Sequence, residues 1–134
     1  MSTKENKYNL PVIRGISAGF PSPARDYLEE SINLNNELIQ NPNWTFLGEI
    51  EGDSMQDAGI ASGDVVVVDK SLDARNGSIA ICSIDGGLTI KRLHMHNNEL
   101  YLVSANAKYK PIKVTDADNF SIWGVVTHTI KKMI

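Results

Sequence analysis

From Trp44 onward, apolar residues recur with a period of two and are interrupted every few residues by glycine, asparagine or aspartate. That alternation suits strands, whose successive side chains leave opposite faces of a sheet, and does not suit an amphipathic helix. Trp44, Phe46, Leu47 and Ile50 open the pattern, Val65 to Asp69 is a β-branched run of buried-strand type, and Ile79 to Ile84 follows. Asp85-Gly86-Gly87 is a hairpin signal, because positive φ costs little at glycine, so Leu88 to Leu93 is the returning strand. Asn97-Asn98 turns the chain into Leu100 to Val103, and later strands are expected at Ile112 to Thr115 and Phe120 to Ile130. The fold class is mainly β, with residues 43–134 as one unit of short strands.

The part in front reads differently. Residues 1–21 begin polar and basic, with Lys4, Lys7 and Arg14 around one short apolar patch at Pro11-Val12-Ile13, and suit a flexible, extended arm. Residues 22–42 suit a short helical segment: Ser22 can cap, Pro23 can take the first helical position, and Ala24, Tyr27, Leu28 and Ile32 recur at helical spacing. Leu34, Leu38 and Ile39 offer a further turn over Asn33 to Gln40, before Asn41-Pro42-Asn43 breaks it.

Bulk properties narrow the function. A chain of 134 residues can bury a core without metal or disulfide. Thirteen basic against sixteen acidic side chains give a formal charge of -3, which argues against a general grip on nucleic acid, and the segment in front of the β unit is too short and irregular for a helix-turn-helix domain, so no direct sequence-specific DNA binding is expected. Cys82 is the single cysteine, so no internal disulfide forms; its apolar surroundings suit core packing in a reducing cytoplasm. No secretory leader or membrane-length apolar run is visible, and neither membrane association nor a cofactor is expected.

The chemistry centres on Gly52-Asp53-Ser54-Met55 and on Lys91 in Leu88-Thr89-Ile90-Lys91-Arg92-Leu93. A serine hydroxyl is a poor nucleophile until a base takes its proton, and a desolvated lysine can be that base. Ser54 follows a strand in a glycine-flanked turn, where the backbone N–H groups of Asp53 and Ser54 can serve as an oxyanion hole. The bland alternative makes Ser54 a capping serine before Met55-Gln56-Asp57 and Lys91 a surface charge; on pattern alone the capping role outweighs the catalytic one. His94 and His96 have no third ligand nearby and suit a solvated pair at a hairpin end, so no metal is expected. His128 is an alternative base ranked below Lys91, and Asp53, Asp57, Asp64 and Asp69 suit turn chemistry.

The order of segments shifts these odds. Gly-Asp-Ser-Met, then Ser62-Gly63-Asp64, Val65 to Asp69, Ile90-Lys91, Asn106 and Tyr109-Lys110-Pro111-Ile112 resembles the self-cleaving repressor and mutagenesis proteins of the LexA/UmuD family. Gly19-Phe20-Pro21-Ser22-Pro23-Ala24, Asp26-Tyr27, Leu34-Asn35, Leu38-Ile39-Gln40 and Gly124-Val125-Val126 extend the likeness in register; Ser104 departs from it, where relatives often carry proline. The resemblance implies a LexA/UmuD-like β-rich catalytic domain in which Ser54 is the nucleophile, Lys91 the general base, and the bond cut is Ala18-Gly19 in the protein's own arm. It further implies a homodimer, stimulation by a RecA filament on single-stranded DNA, and a cleaved form that joins a Y-family (UmuC-like) polymerase subunit in translesion synthesis. Two other readings fit the same segments: a non-catalytic β-rich dimerisation module, or a phage or plasmid LexA-like regulator without its DNA-binding domain.

Overall fold

A computed structural model of the chain describes residues 8–21 and 31–134. It divides into two compact units, Met1–Gln40 and Asn41–Ile134.

In the first unit, β1 (Asn9–Pro11) pairs antiparallel with β2 (Ser31–Asn33), setting Leu10 opposite Ile32. Ile32 therefore lies in a strand, against the expectation that it completes a helical face; a β-branched side chain gives up little there, and its backbone partner is distant in sequence. Helix α1 (Leu34–Leu38) follows at once, with the Asn33 side chain capping the Asn35 N–H at 2.9 Å. The turn expected over Asn33 to Gln40 is this helix. The helix expected from Ser22 and Pro23 falls on residues 22–30, outside those described.

The second unit holds a seven-stranded antiparallel sheet made of β3 (Thr45–Glu49), β4 (Val65–Asp69), β5 (Ile79–Ile84), β6 (Gly87–His96), β7 (Glu99–Val103), β8 (Ile112–Lys113) and β9 (Phe120–Ile130). Their order across the sheet is β3-β4-β9-β5-β6-β7-β8. The mainly β reading holds, as do the turns that carry it. Asp85 (φ 50) and Gly86 (φ 84) sit between the paired residues Ile84 and Gly87, and Asn97 (φ 50) and Asn98 (φ 63) sit between His96 and Glu99. Two left-handed residues in a row make the turn whose twist matches that of the flanking strands.

Side chains leave the sheet on both faces into apolar surroundings. Ile50, Met55, Ile60, Val66, Val68, Ile81 and Ile90 form one core cluster; Ala80, Cys82, Leu93 and Leu102 form the other. This two-sided burial is why β4 reads as an unbroken β-branched run rather than an alternation. The long strand β9 joins the sheet halves and shifts register twice, at Trp123 against β5 and at Thr127 against β4. Trp123 meets Phe46 edge-on, with ring centroids 6.4 Å apart, and Lys70 Nζ lies 5.9 Å from its ring.

Close backbone approach at Gly124, paired with Ile81 on β5, has a measurable consequence. A Cβ on Gly124 would stand 2.7 Å from Val68 Cγ1 and 3.2 Å from the Asp69 carbonyl oxygen, and backbone cannot step aside. Gly124→Ala is expected to lower the free energy of unfolding by about 1–3 kcal/mol, read as an earlier urea midpoint with unchanged slope.

Candidate active site

Residues 50–64 leave β3 and return into β4 through a loop fixed at its neck. The Ile50 N–H donates to the Asp64 carbonyl at 2.9 Å, and the Gly63 N–H donates to the Ile50 carbonyl at 2.7 Å. Within the loop, Gln56–Ala58 forms one 3-10 turn closed by Gly59 in the left-handed region, and Met55 is 1% exposed in the core. Met55 anchors the segment, so its neighbour Ser54 is carried to a defined place beside the sheet.

The residue that caps the 3-10 turn is Met55, without a side-chain hydrogen bond, so Ser54 has no capping role. Its hydroxyl meets Lys91 instead, with Nζ to Oγ at 3.1 Å across 37 positions of sequence. Lys91 sits on β6 opposite Ala80 and is 8% exposed, so it is no surface charge. Thr89 Oγ1 at 3.0 Å and the Ile90 carbonyl at 3.1 Å also accept from its amine. Burial holds the Lys91 pKa below the ordinary lysine value, slightly opposed by the nearby Cys82 sulfur. The same burial pushes the Cys82 thiol up to about 11, which keeps it protonated and unreactive.

This arrangement accommodates both protonation states of the amine. As an ammonium it donates to all three oxygens; as a neutral amine it has two N–H groups and one lone pair. The Ile90 carbonyl can only accept and so takes one N–H, and Thr89 can take the other. The lone pair is then left for the Ser54 proton. Sequence reasoning gave Thr89 no role, although its place two residues before Lys91 on one strand face was legible.

A second loop grips the serine turn from the far side. The Asp57 N–H donates to the Ala105 carbonyl at 2.8 Å, and the Ala105 N–H meets Met55 Sδ at 3.4 Å. Asn106, 8% exposed, donates from Nδ2 to the Asp53 carbonyl at 2.9 Å and accepts the Lys108 N–H on Oδ1 at 3.1 Å. The Asp53 carboxylate takes the Tyr109 hydroxyl at 2.6 Å and pairs with Lys108 at 2.6 Å. Lys108, then Tyr109, hold the Asp53 carboxyl below its usual range. Asp53 is thus a cross-loop tie, in place of the local turn role expected for it. Asp64 and Asp69 do show turn chemistry: Asp64 accepts the Ala61 N–H at 2.8 Å, and Asp69 accepts the Ser71 N–H at 2.8 Å. Asp64 also pairs with Lys131.

The remaining candidates lie elsewhere. His128, exposed on β9, has Nδ1 2.9 Å from Thr127 Oγ1, and among the described residues it has no hydrogen bond to Ser54. The His94 and His96 rings stack 6.1 Å apart at an exposed hairpin end, and among the described residues no metal-competent group of His, Cys, Asp or Glu occurs. Ala18 and Gly19 lie in an exposed turn of the first unit, where Ser17 Oγ donates to the Phe20 carbonyl at 2.7 Å and accepts the Gly19 N–H at 3.2 Å. No helix among the described residues is long and apolar enough to cross a membrane.

Comparison with known proteins places the chain in a family. The family model described as Peptidase S24-like matches residues 11–127. Protein MucA of Salmonella typhimurium is 42% identical over 120 residues, covering 88% of this chain and 81% of its own. Protein ImpA of Shigella flexneri is 40% identical over 116 residues, covering 86% and 78%. The chain belongs to the Peptidase S24-like family of self-cleaving serine proteases, among its UmuD-type members.

Proposed function

We propose that this UmuD-type protein of SOS mutagenesis cuts its own chain with a Ser54–Lys91 dyad, at Ala18-Gly19. The observation that carries the reading is the 3.1 Å contact between Ser54 Oγ and the amine of a buried Lys91 whose pKa burial lowers. Neutral Lys91 takes the Ser54 proton as Oγ attacks the Ala18 carbonyl carbon, and the backbone N–H groups of Asp53 and Ser54 receive the negative oxygen. The C–N bond then breaks, Lys91 returns the proton to the Gly19 nitrogen, and residues 1–18 remain as an ester on Ser54. Water, with Lys91 again as base, hydrolyses the ester and frees the serine.

Small residues suit the bond. Ala18 needs only a shallow pocket, and Gly19 lets backbone approach Ser54 closely. A Cβ on Gly19 meets nothing within 4 Å, so substitution there has no local packing cost in the uncut chain. Gly19→Glu is expected to slow cleavage about a hundredfold by displacing the attacked carbonyl, while leaving the circular dichroism spectrum unchanged. A Gly19→Glu chain processed at the parental rate would place the cut at another bond.

The same reading implies the setting. The chain acts as a homodimer, in keeping with the half-exposed Ile122 and Trp123 on β9. A RecA filament on single-stranded DNA stimulates cleavage by favouring the docked arm, and needs to contribute no catalytic group. The product, residues 19–134, serves a Y-family polymerase subunit in the cytoplasm. A non-catalytic dimerisation module would have no use for a buried lysine amine against a serine hydroxyl.

A further inference from the structure

Five contacts join the loop at residues 105–109 to the serine turn, and one of them sets a side-chain amide on the carbonyl of the peptide that leads into Ser54. Asn106 Nδ2 donates to the Asp53 carbonyl oxygen at 2.9 Å, and the Gln56 N–H donates to the same oxygen at 3.2 Å. That carbonyl belongs to the peptide bond whose nitrogen is Ser54. A trans peptide is planar, so its C=O and N–H point in opposite directions, and no cis peptide occurs among the described residues. Fixing the Asp53 carbonyl toward Asn106 therefore fixes the Ser54 N–H away from it. Among the described residues no acceptor takes that N–H, which leaves it available to a ligand.

We infer that Asn106 is a positioning residue of the self-cleavage site: by holding the Asp53 carbonyl, it aims the Ser54 N–H at the oxygen that becomes negative during attack. The inference rests on the Ser54–Lys91 reading and extends it to a residue that touches neither reacting atom. Asn106 is suited to this by being tied at both ends. Its Oδ1 accepts the Lys108 N–H of its own loop, which leaves Nδ2 facing the turn. The loop is fastened independently by Asp57 N–H to the Ala105 carbonyl at 2.8 Å and by Met55 Sδ to the Ala105 N–H at 3.4 Å. Backbone and sulfur contacts seat the loop, and the Asn106 amide sets the direction of one donor. Lys91 lies outside this chain of contacts, because among the described residues its amine reaches only Ser54 Oγ, Thr89 and Ile90.

The separation gives the test. Self-cleavage of the full chain is followed by intact mass from pH 6 to 10.5 for the wild type, Asn106→Asp, which lacks the donor, and Asn106→Gln, which restores an amide on a longer stem. Fold is checked by circular dichroism at each pH. Losing a donor to the oxyanion costs about 10²–10³ in rate, and misaiming one costs less. Asn106→Asp is expected to lower the high-pH plateau at least tenfold with the midpoint of the profile unmoved, and Asn106→Gln to recover part of the loss. If Asn106→Asp does not fold, Asn106→Ala, which also lacks the donor, carries the same expectation. A folded donor-less variant cleaving at the wild-type plateau overturns the positioning role and leaves the dyad standing. A shifted midpoint with an unchanged plateau also overturns it, since Asn106 would then act through the base. A wild type that is not cut at any pH removes the dyad reading itself, and the positioning role with it.

Discussion

Ser54→Ala and Lys91→Ala are each expected to leave a folded chain that is not cut, with the rate reduced by at least about four orders of magnitude. The serine hydroxyl is half-buried and bonded only to the lysine amine among the described residues, so removing it costs the fold little. Without the hydroxyl there is no attacking atom. Without the amine the hydroxyl keeps its proton, because among the described residues no other base touches it; His128 is bonded to Thr127 instead. Nucleophile and base act as one unit, so the double variant should be no slower than either single one. Time courses by denaturing gel and intact mass, with thermal melts on the same samples, read both halves of the expectation.

The second large effect is on pH. Burial lowers the Lys91 pKa, and only the neutral amine can accept the Ser54 proton. The rate of uncatalysed-by-partner cleavage should rise roughly tenfold per pH unit below the folded-state pKa of Lys91 and level off above it. Stability shifts in the same window. The unfolded chain, with an ordinary lysine pKa of about 10.4, binds more protons than the folded one between the two values, so stability rises with pH there. It is lowest, by the full desolvation cost, once pH falls below the folded-state pKa. Cys82 works the other way: its thiol is pushed up to about 11, so from near pH 9 the unfolded chain releases a proton that the fold retains, and stability falls. The difference between the wild type and Lys91→Met, measured by urea melts from pH 6 to 10.5, isolates the lysine. That difference should shrink as pH rises.

The sheet was legible because its signals are local. Period-two apolar runs and the pairs Asp85-Gly86 and Asn97-Asn98 need no distant partner to be read, and all seven strands lie where these marks put them, within a few residues at their ends. Ile32 was not legible. Helical spacing from Ala24 and pairing with Leu10 are both compatible with its neighbours, and only a contact distant in sequence decides between them. The site divides the same way. Ser54 and Lys91 stood out through the order of segments in the LexA/UmuD likeness, not through spacing, since residues 37 apart carry no shared period. Asn106 and Tyr109 act on Asp53 across 53 and 56 positions, and the polarity of an asparagine or tyrosine says nothing of its partner. Asp53 itself looked like a turn residue because Gly-Asp-Ser is a turn string; what it ties together is a loop from another part of the sheet.

Whether Lys91-activated Ser54 opens the Ala18-Gly19 bond is tested most directly by the intact mass of the purified full chain, incubated without partner at pH 7 and at pH 10 beside Ser54→Ala. The expected result is a product of residues 19–134 that forms slowly at pH 7 and far faster at pH 10, and that never forms in the variant. A wild type that keeps its full mass at both pH values while remaining folded would contradict it, as would a Ser54→Ala chain cut at the same bond.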